Sequence, residues 1–138
     1  DALMEKDGGL TKGEREMIVV ATSGLNQCIY CVVAHGAVLR IREKNPLIAD
    51  QLATNYRKAD ISGRQRAMLD YAVKVSLKPY EISESDLTLL EKQGFSEDDI
   101  WNIGAISSFF ALSNRLAHMA SIRPNDEFHL LGRVKRSK

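Results

Sequence analysis

Residues 16–35 read EMIVVATSGLNQCIYCVVAH and hold both cysteines of the chain, Cys28 and Cys31. His35 follows Cys31 by four residues, and Glu16 precedes Cys28 by twelve. Positions three and four apart share one face of a helix, so Cys28, Cys31 and His35 stack on one side of the helix that carries them. Cysteines at this spacing can close a disulfide with little rearrangement. If that helix begins near Cys28, its unpaired N–H groups and its dipole stabilise a nearby anion. The thiolate is the reactive form of cysteine. An imidazole one turn beyond Cys31 can take that thiol's proton. These two arguments pull apart: the dipole favours Cys28 as the attacking sulfur, and His35 favours Cys31. Read from the residues, the order stays open. Glu16 lies among apolar neighbours, where a carboxylate needs a partner.

Working outward from this stretch, Thr11 with Glu14 three residues later marks a helix start of the capping-box kind. Met17, Ile18, Val20 and Ala21 follow at helical spacing. Their β-branched content also suits a strand, but the cap and the length favour helix. Residues 24–27 (GLNQ) are a break, and a second helix is expected over about 26–43 with Cys28, Cys31, Val32, His35, Val38, Leu39 and Ile41 in its apolar stripe. Ala34 and Gly36 are small enough to admit a neighbouring helix. Asn45 ends this helix, and Pro46 is expected at the first position of a short one over 46–55. Ser62 caps a helix over 64–77, stopped by Pro79.

Ser83 with Asp86 opens another helix, and Gly94 stands where a helix-terminating glycine belongs. Ser96 and an acidic first turn open a long one, 97 to about 121, apolar on most sides (Ile100, Trp101, Ile103, Ile106, Phe109, Phe110). A helix of that kind is buried, centrally or at a subunit interface. Pro124 ends it. Residues 1–9 read as a loose lead-in or the end of an upstream element. The expected fold class is all-α: one domain over residues 1–138, about six helices, with the cysteine pair at the N-terminus of a core helix.

Composition narrows the partners. The 19 basic and 18 acidic residues nearly cancel, leaving a formal charge of +1 and no broad field to attract nucleic acid or an anionic membrane. The basic end, residues 133–138, is short and reads as a solvated terminus. No apolar run approaches the ~20 residues of a membrane span, and no secretory signal is visible. The chain opens at Asp1 without a methionine, so a preceding segment is expected. Two cysteines three apart are not the disulfide framework of a small secreted domain, and a reducing cytosol suits them better.

Other readings compete. The cysteines could be plain buried helix residues. With His35 they could bind zinc, but a closed site wants four ligands, which His118 or His129 would have to complete. His118 suits packing or an interface hydrogen bond better than catalysis. Asn114 and Arg115, set in apolar surroundings, suggest a buried polar network or an oligomer contact. The expectation is no metal and no cofactor.

Glu16, eleven intervening residues, Cys28-x-x-Cys31, three more, then His35 resembles the active-site signature of the AhpD-like alkylhydroperoxidases. These belong to the carboxymuconolactone decarboxylase-like superfamily. The likeness is greatest to the peroxidase-related branch, where a tyrosine precedes the second cysteine, as Tyr30 does here, and where the C-terminal part resembles residues 113–133, SNRLAHMASIRPNDEFHLLGR. It covers the chain from about Leu10 onward. The resemblance implies a helical fold assembled into homo-oligomers, and reduction of hydroperoxides without a cofactor by a thiol pair that an unidentified thiol or dithiol regenerates. It implies that Cys31 attacks the peroxide, that Cys28 resolves the sulfenic acid to a disulfide, and that Glu16 and His35 relay the proton. Better-known members carry a histidine where Tyr30 stands. A phenol of pKa ~10 can orient a peroxide or water but is a poor base near neutrality. The leading expectation is therefore a thiol-dependent peroxidase or related disulfide oxidoreductase with an antioxidant role. A lactone-acid decarboxylase of the same superfamily is an alternative, though that chemistry does not need two cysteines. A redox-sensing helical oligomer that oxidises without turnover is another.

Overall fold

Side-chain caps decide where the helices begin. Thr11, Ser62 and Ser96 each accept the backbone N–H three residues on, while Glu14, Gln65 and Asp99 reach back to the cap N–H. Asp86 likewise reaches back to the Ser83 N–H at 2.9 Å. The computed structural model describes residues 2–134. It contains α1 (Ala2–Glu5), α2 (Lys12–Leu25), α3 (Ile29–Glu43), α4 (Ile48–Asn55), α5 (Gly63–Leu77), α6 (Glu84–Lys92) and α7 (Glu97–Met119), with short 3₁₀ turns between and after them. No strand occurs among the described residues. The all-α expectation holds.

Helix ends follow one pattern. In α2, α3, α6 and α7 a residue just past the helix end donates its N–H back into the last turn, as Cys28 to Ser23, Asn45 to Arg40, Phe95 to Leu90 and Ile122 to Ala117. The residue before each of these donors is left-handed: Gln27, Lys44, Gly94 and Ser121. Gly94, with φ +94°, is the expected terminating glycine. The α2–α3 connection is consequently tighter than the sequence suggested. Cys28 completes the end of α2 and caps the start of α3, so α3 begins at Ile29 rather than near Asn26. Pro46 does not start α4. The Asn45 side chain accepts the Leu47 N–H at 2.9 Å, which turns the chain there and delays the helix to Ile48.

The central helix is α2, which packs against α3, α4, α5 and α7 and is buried from Gly13 to Ser23. Met17, Ile18, Val19 and Val20 are at most 2% exposed, each worth roughly 1.5–3 kcal/mol of apolar burial. Close approach requires glycine where α2 meets α4: a Cβ on Gly24 would stand 2.5 Å from the Ala53 carbonyl oxygen. Gly36 on α3 lies under Ala49 of α4, as its small size suggested.

Helix α7, expected to be buried centrally or at a subunit interface, is buried within the chain on one face only. Ile103, Ile106, Phe110, Asn114 and Ala117 face inward, while Trp101 and Met119 are 78% and 81% exposed and Phe109, Leu112 and Leu116 lie about half open beside them. The lead-in is not loose either. Met4 enters the core, the Gly9 N–H donates to Asp99 at 3.0 Å, and the buried Arg15 donates to the Leu3 carbonyl at 3.0 Å. At the other end, buried Arg40 donates to the carbonyls of Leu131 (2.7 Å) and Phe128 (2.9 Å), holding the C-terminal segment on α3. Arg133, expected in a solvated tail, pairs with Asp50 at 2.8 Å; residues 135–138 lie outside the described residues. Among the described residues no helix is long and apolar enough to cross a membrane.

Candidate active site

The tight α2–α3 turn delivers Cys28 to the N-terminus of α3. Its sulfur accepts the Cys31 N–H at 3.4 Å, so the cysteine itself is the helix cap. Cys31 lies one turn in. Both cysteines are free, and each is 1% exposed. Together with Ala117 of α7 they form a small buried cluster apart from the main core.

Cys31 is not a thiolate at rest. Burial, reinforced by the adjacent Cys28, pushes its pKa from the ordinary 9.0 up to about 12. The nearby Ser113 and Ser23 hydroxyls act in the opposite direction without overcoming burial. The expectation that helix position and spacing favour thiolate therefore does not extend to a resting Cys31.

A base pair stands nearby. His35, on α3 one turn beyond Cys31, has its Nδ1 2.7 Å from Oε2 of Glu16 on α2. With the Nδ1–H donating to the carboxylate, the imidazole is held in the tautomer whose Nε2 is free to accept a proton. Phe110 of α7 packs edge-on against the imidazole at 4.9 Å, fixing its plane. Glu16 is 9% exposed at its side chain and His35 25%, so the pair lies at the edge of the core. The carboxylate that needed a partner has found His35.

Cys28, Tyr30, Ala117, His118, Ile122 and Arg123 line part of a cavity of about 250 Å³. It therefore meets the pair from the Cys28 side, with Tyr30 on its wall. His118 Nε2–H donates to the Asn26 carbonyl at 2.8 Å and so ties the end of α7 to the turn that carries Cys28. This is a structural hydrogen bond, as its setting suggested. Among the described residues no three His, Cys, Asp or Glu side chains converge as a metal site would need.

Three residues escaped the sequence reading as members of this site: Ser23, Ser113 and Asn114. The Ser23 hydroxyl donates to Asn114 Oδ1 at 2.9 Å, and both residues are 0% exposed. Asn114 had been recognised as a polar residue in apolar surroundings, but only the fold sets it beside the cysteines, 91 residues from Ser23. Arg115, its neighbour, is exposed and bonds the Ala111 carbonyl of its own helix.

The fold is an all-helical domain with a free cysteine pair at the start of a core helix and a Glu–His pair on the two helices that flank that turn. Comparisons make the membership specific. The family model of the carboxymuconolactone decarboxylase family matches residues 1–53. A solved structure from Ralstonia eutropha JMP134, described as an alkylhydroperoxidase AhpD core and an uncharacterized peroxidase-related protein, is 65% identical. It superposes with a TM-score of 0.97 over 99% of this chain and 72% of its own. An uncharacterized peroxidase-related protein from Silicibacter sp. TM1040 is 42% identical, with a TM-score of 0.93 over 96% of this chain and 69% of its own. A search of curated proteins returned no match. The chain belongs to the AhpD-like, peroxidase-related group of the carboxymuconolactone decarboxylase superfamily.

Proposed function

We propose that the protein is a thiol-dependent hydroperoxide reductase. The observation that carries this reading is the Glu16–His35 pair at 2.7 Å, one helical turn from a buried dithiol. A thiol held at about 12 needs a base, and an imidazole oriented by a carboxylate is a suitable one. In the proposed sequence His35 takes the Cys31 proton. The thiolate attacks the outer oxygen of the hydroperoxide, the O–O bond breaks, and the alkoxide leaves as an alcohol with a proton. Cys31 is now a sulfenic acid. The Cys28 thiol displaces its hydroxyl as water and forms the disulfide. An external thiol or dithiol restores both cysteines. Tyr30, on the cavity wall, orients the peroxide. A reducing cytosol would keep the pair in its free form.

The cavity beside Cys28 and that sulfur's place at the helix N-terminus favour a second order, with Cys28 attacking and Cys31 resolving. Dithiothreitol-dependent consumption of an organic hydroperoxide by the wild type, Cys31→Ser and Cys28→Ser tests both. Turnover in the wild type and loss in both variants supports the peroxidase. Absence of turnover in the wild type, with the disulfide still forming, overturns it in favour of a redox switch.

The outward face of α7, from Trp101 to Met119, suits coverage by a second copy of the chain. Light scattering should report a homo-oligomer; a monomeric mass would remove this part of the proposal.

A further inference from the structure

Nearly every described arginine has a partner. Arg42, Arg57, Arg64 and Arg133 pair with carboxylates. Arg15, Arg40, Arg66 and Arg115 donate to backbone carbonyls. Among the described arginines Arg123 alone has neither an ion pair nor a hydrogen bond. Its backbone is nevertheless held. On one side the Ile122 N–H donates to the Ala117 carbonyl at 3.0 Å, and on the other Pro124 is buried. Proline also keeps the residue before it out of the helical region.

Arg123 lines the cavity of about 250 Å³ beside the cysteines. Cys28 lines it too, and Cys31 does not. Among the described residues no Asp or Glu stands on its wall, and Ile29, Ala117 and Ile122 make much of that wall apolar. His118, the other basic residue there, is tied to the Asn26 carbonyl at 2.8 Å. A small concave site with an apolar wall, one unpaired cation and one sulfur suits a molecule with a short apolar body and an anionic end.

We propose that this cavity receives the reducing thiol, and that Arg123 selects a small thiol bearing a carboxylate. Whichever cysteine meets the peroxide, Cys28 is the sulfur on the cavity side, and there the disulfide is opened. Cys28 is 1% exposed, so the attacking sulfur must be slender enough to reach it through the cavity. That geometry favours a small molecule over the thiol of a folded protein. The guanidinium fork matches a carboxylate at two points and holds the far end of the thiol. Its thiolate attacks Cys28 Sγ, the Cys28–Cys31 bond breaks, and Cys31 leaves with the electron pair. A second thiolate attacks the outer sulfur of the mixed disulfide, and Cys28 leaves in turn. Two electrons pass to the protein, the small molecules depart as their own disulfide, and the two thiol protons end on Cys28 and Cys31.

The proposal rests on the cysteine cycle proposed above, yet its test needs no peroxide, so failed peroxide turnover and failed thiol selection are separate results. The full chain is oxidised with diamide, freed of it, and mixed with mercaptopropionate, mercaptoethanol or cysteamine. Return of the two thiols is followed by alkylation and mass spectrometry. Each wild-type rate is divided by the same reagent's rate with Arg123→Gln, so the reagents' own reactivities cancel. The ratio should be about fivefold for mercaptopropionate, the upper worth of an exposed ion pair, near one for mercaptoethanol and below one for cysteamine. High salt should shrink the first ratio, and Arg123→Glu should reverse the order. Arg115→Gln is the control: it removes the same charge from an exposed arginine that is not on the cavity wall, and it should leave all three rates unmoved. Thermal melts establish that each variant is folded. Equal ratios for the three reagents, the same selective loss in Arg115→Gln, or a wild type that forms no Cys28–Cys31 disulfide with diamide would overturn the proposal.

Discussion

Two polar clusters stand at two levels of α2. Glu16 supplies one, at the α2–α3 seam, and Ser23 supplies the other, two turns later, at the α2–α7 seam. The first is ionisable, partly exposed and can move a proton. The second is neutral and wholly buried, and can orient, donate or accept but carries no proton away. A thiol lifted by burial needs both services, because a base without a hydrogen-bonding site for the thiolate leaves a bare charge in the core.

The comparison is broken most severely at the first cluster. His35→Ala should lower peroxide turnover by about 10²–10⁴-fold, the usual worth of a positioned general base, and Glu16→Gln should cost less because the imidazole survives. If His35→Ala retained full rate, the ionisable cluster would have no catalytic part. At the second cluster, Ser23→Ala should lower the rate by about tenfold at neutral pH, with the deficit shrinking as pH rises toward the range where Cys31 ionises unaided. A deficit independent of pH would point to packing damage instead.

The remaining effects concern stability. Gly24→Ala, between the two halves of the site, should cost about 1–3 kcal/mol in denaturant unfolding, since its Cβ meets the Ala53 carbonyl. A neutral result would mean that α4 can yield there. Because the folded Cys31 pKa lies above its ordinary 9.0, the folded state holds its proton longer than the unfolded chain. That contribution is fully present below pH 9 and is lost as pH climbs toward about 12. Cys31→Ala should flatten this alkaline decline relative to wild type, and parallel curves would contradict the raised pKa. The smallest effect is expected at Gln27, held at φ +53°. Gln27→Gly should raise stability by about 1 kcal/mol by relieving the left-handed strain.

The same contrast explains what the sequence made legible. Cys28, Cys31 and His35 lie within eight residues, so helical spacing relates them, whereas Glu16, on the preceding helix, was joined to them through the family resemblance. Ser23 and Asn114 are joined only by the packing of α7 on α2, and no local period encodes a contact 91 residues long. Helix starts were readable because caps have side chains: Thr11, Ser62, Ser83 and Ser96 announce themselves. Ends expected at residues 43, 55 and 77, and the terminating glycine at 94, fell where the sequence put them. The ends of α2, α3 and α7 use the same left-handed turn with Gln27, Lys44 and Ser121, residues that carry no signal for it. Of the two settings expected for the last helix, central or at a subunit interface, the central one falls instead to α2. α2, which includes Glu14, Arg15 and Glu16, is the central helix, whereas the more apolar α7 keeps one face open.

The central claim is that Cys31 is the sulfur the peroxide oxidises. It is tested most directly in the Cys28→Ser protein, treated with one equivalent of an organic hydroperoxide and a sulfenic-acid trap, then mapped by mass spectrometry. The account predicts a trapped adduct on Cys31 that disappears when His35→Ala is added. No adduct on Cys31, together with an adduct on Cys28 in the Cys31→Ser protein, would contradict it and reverse the order of the two thiols.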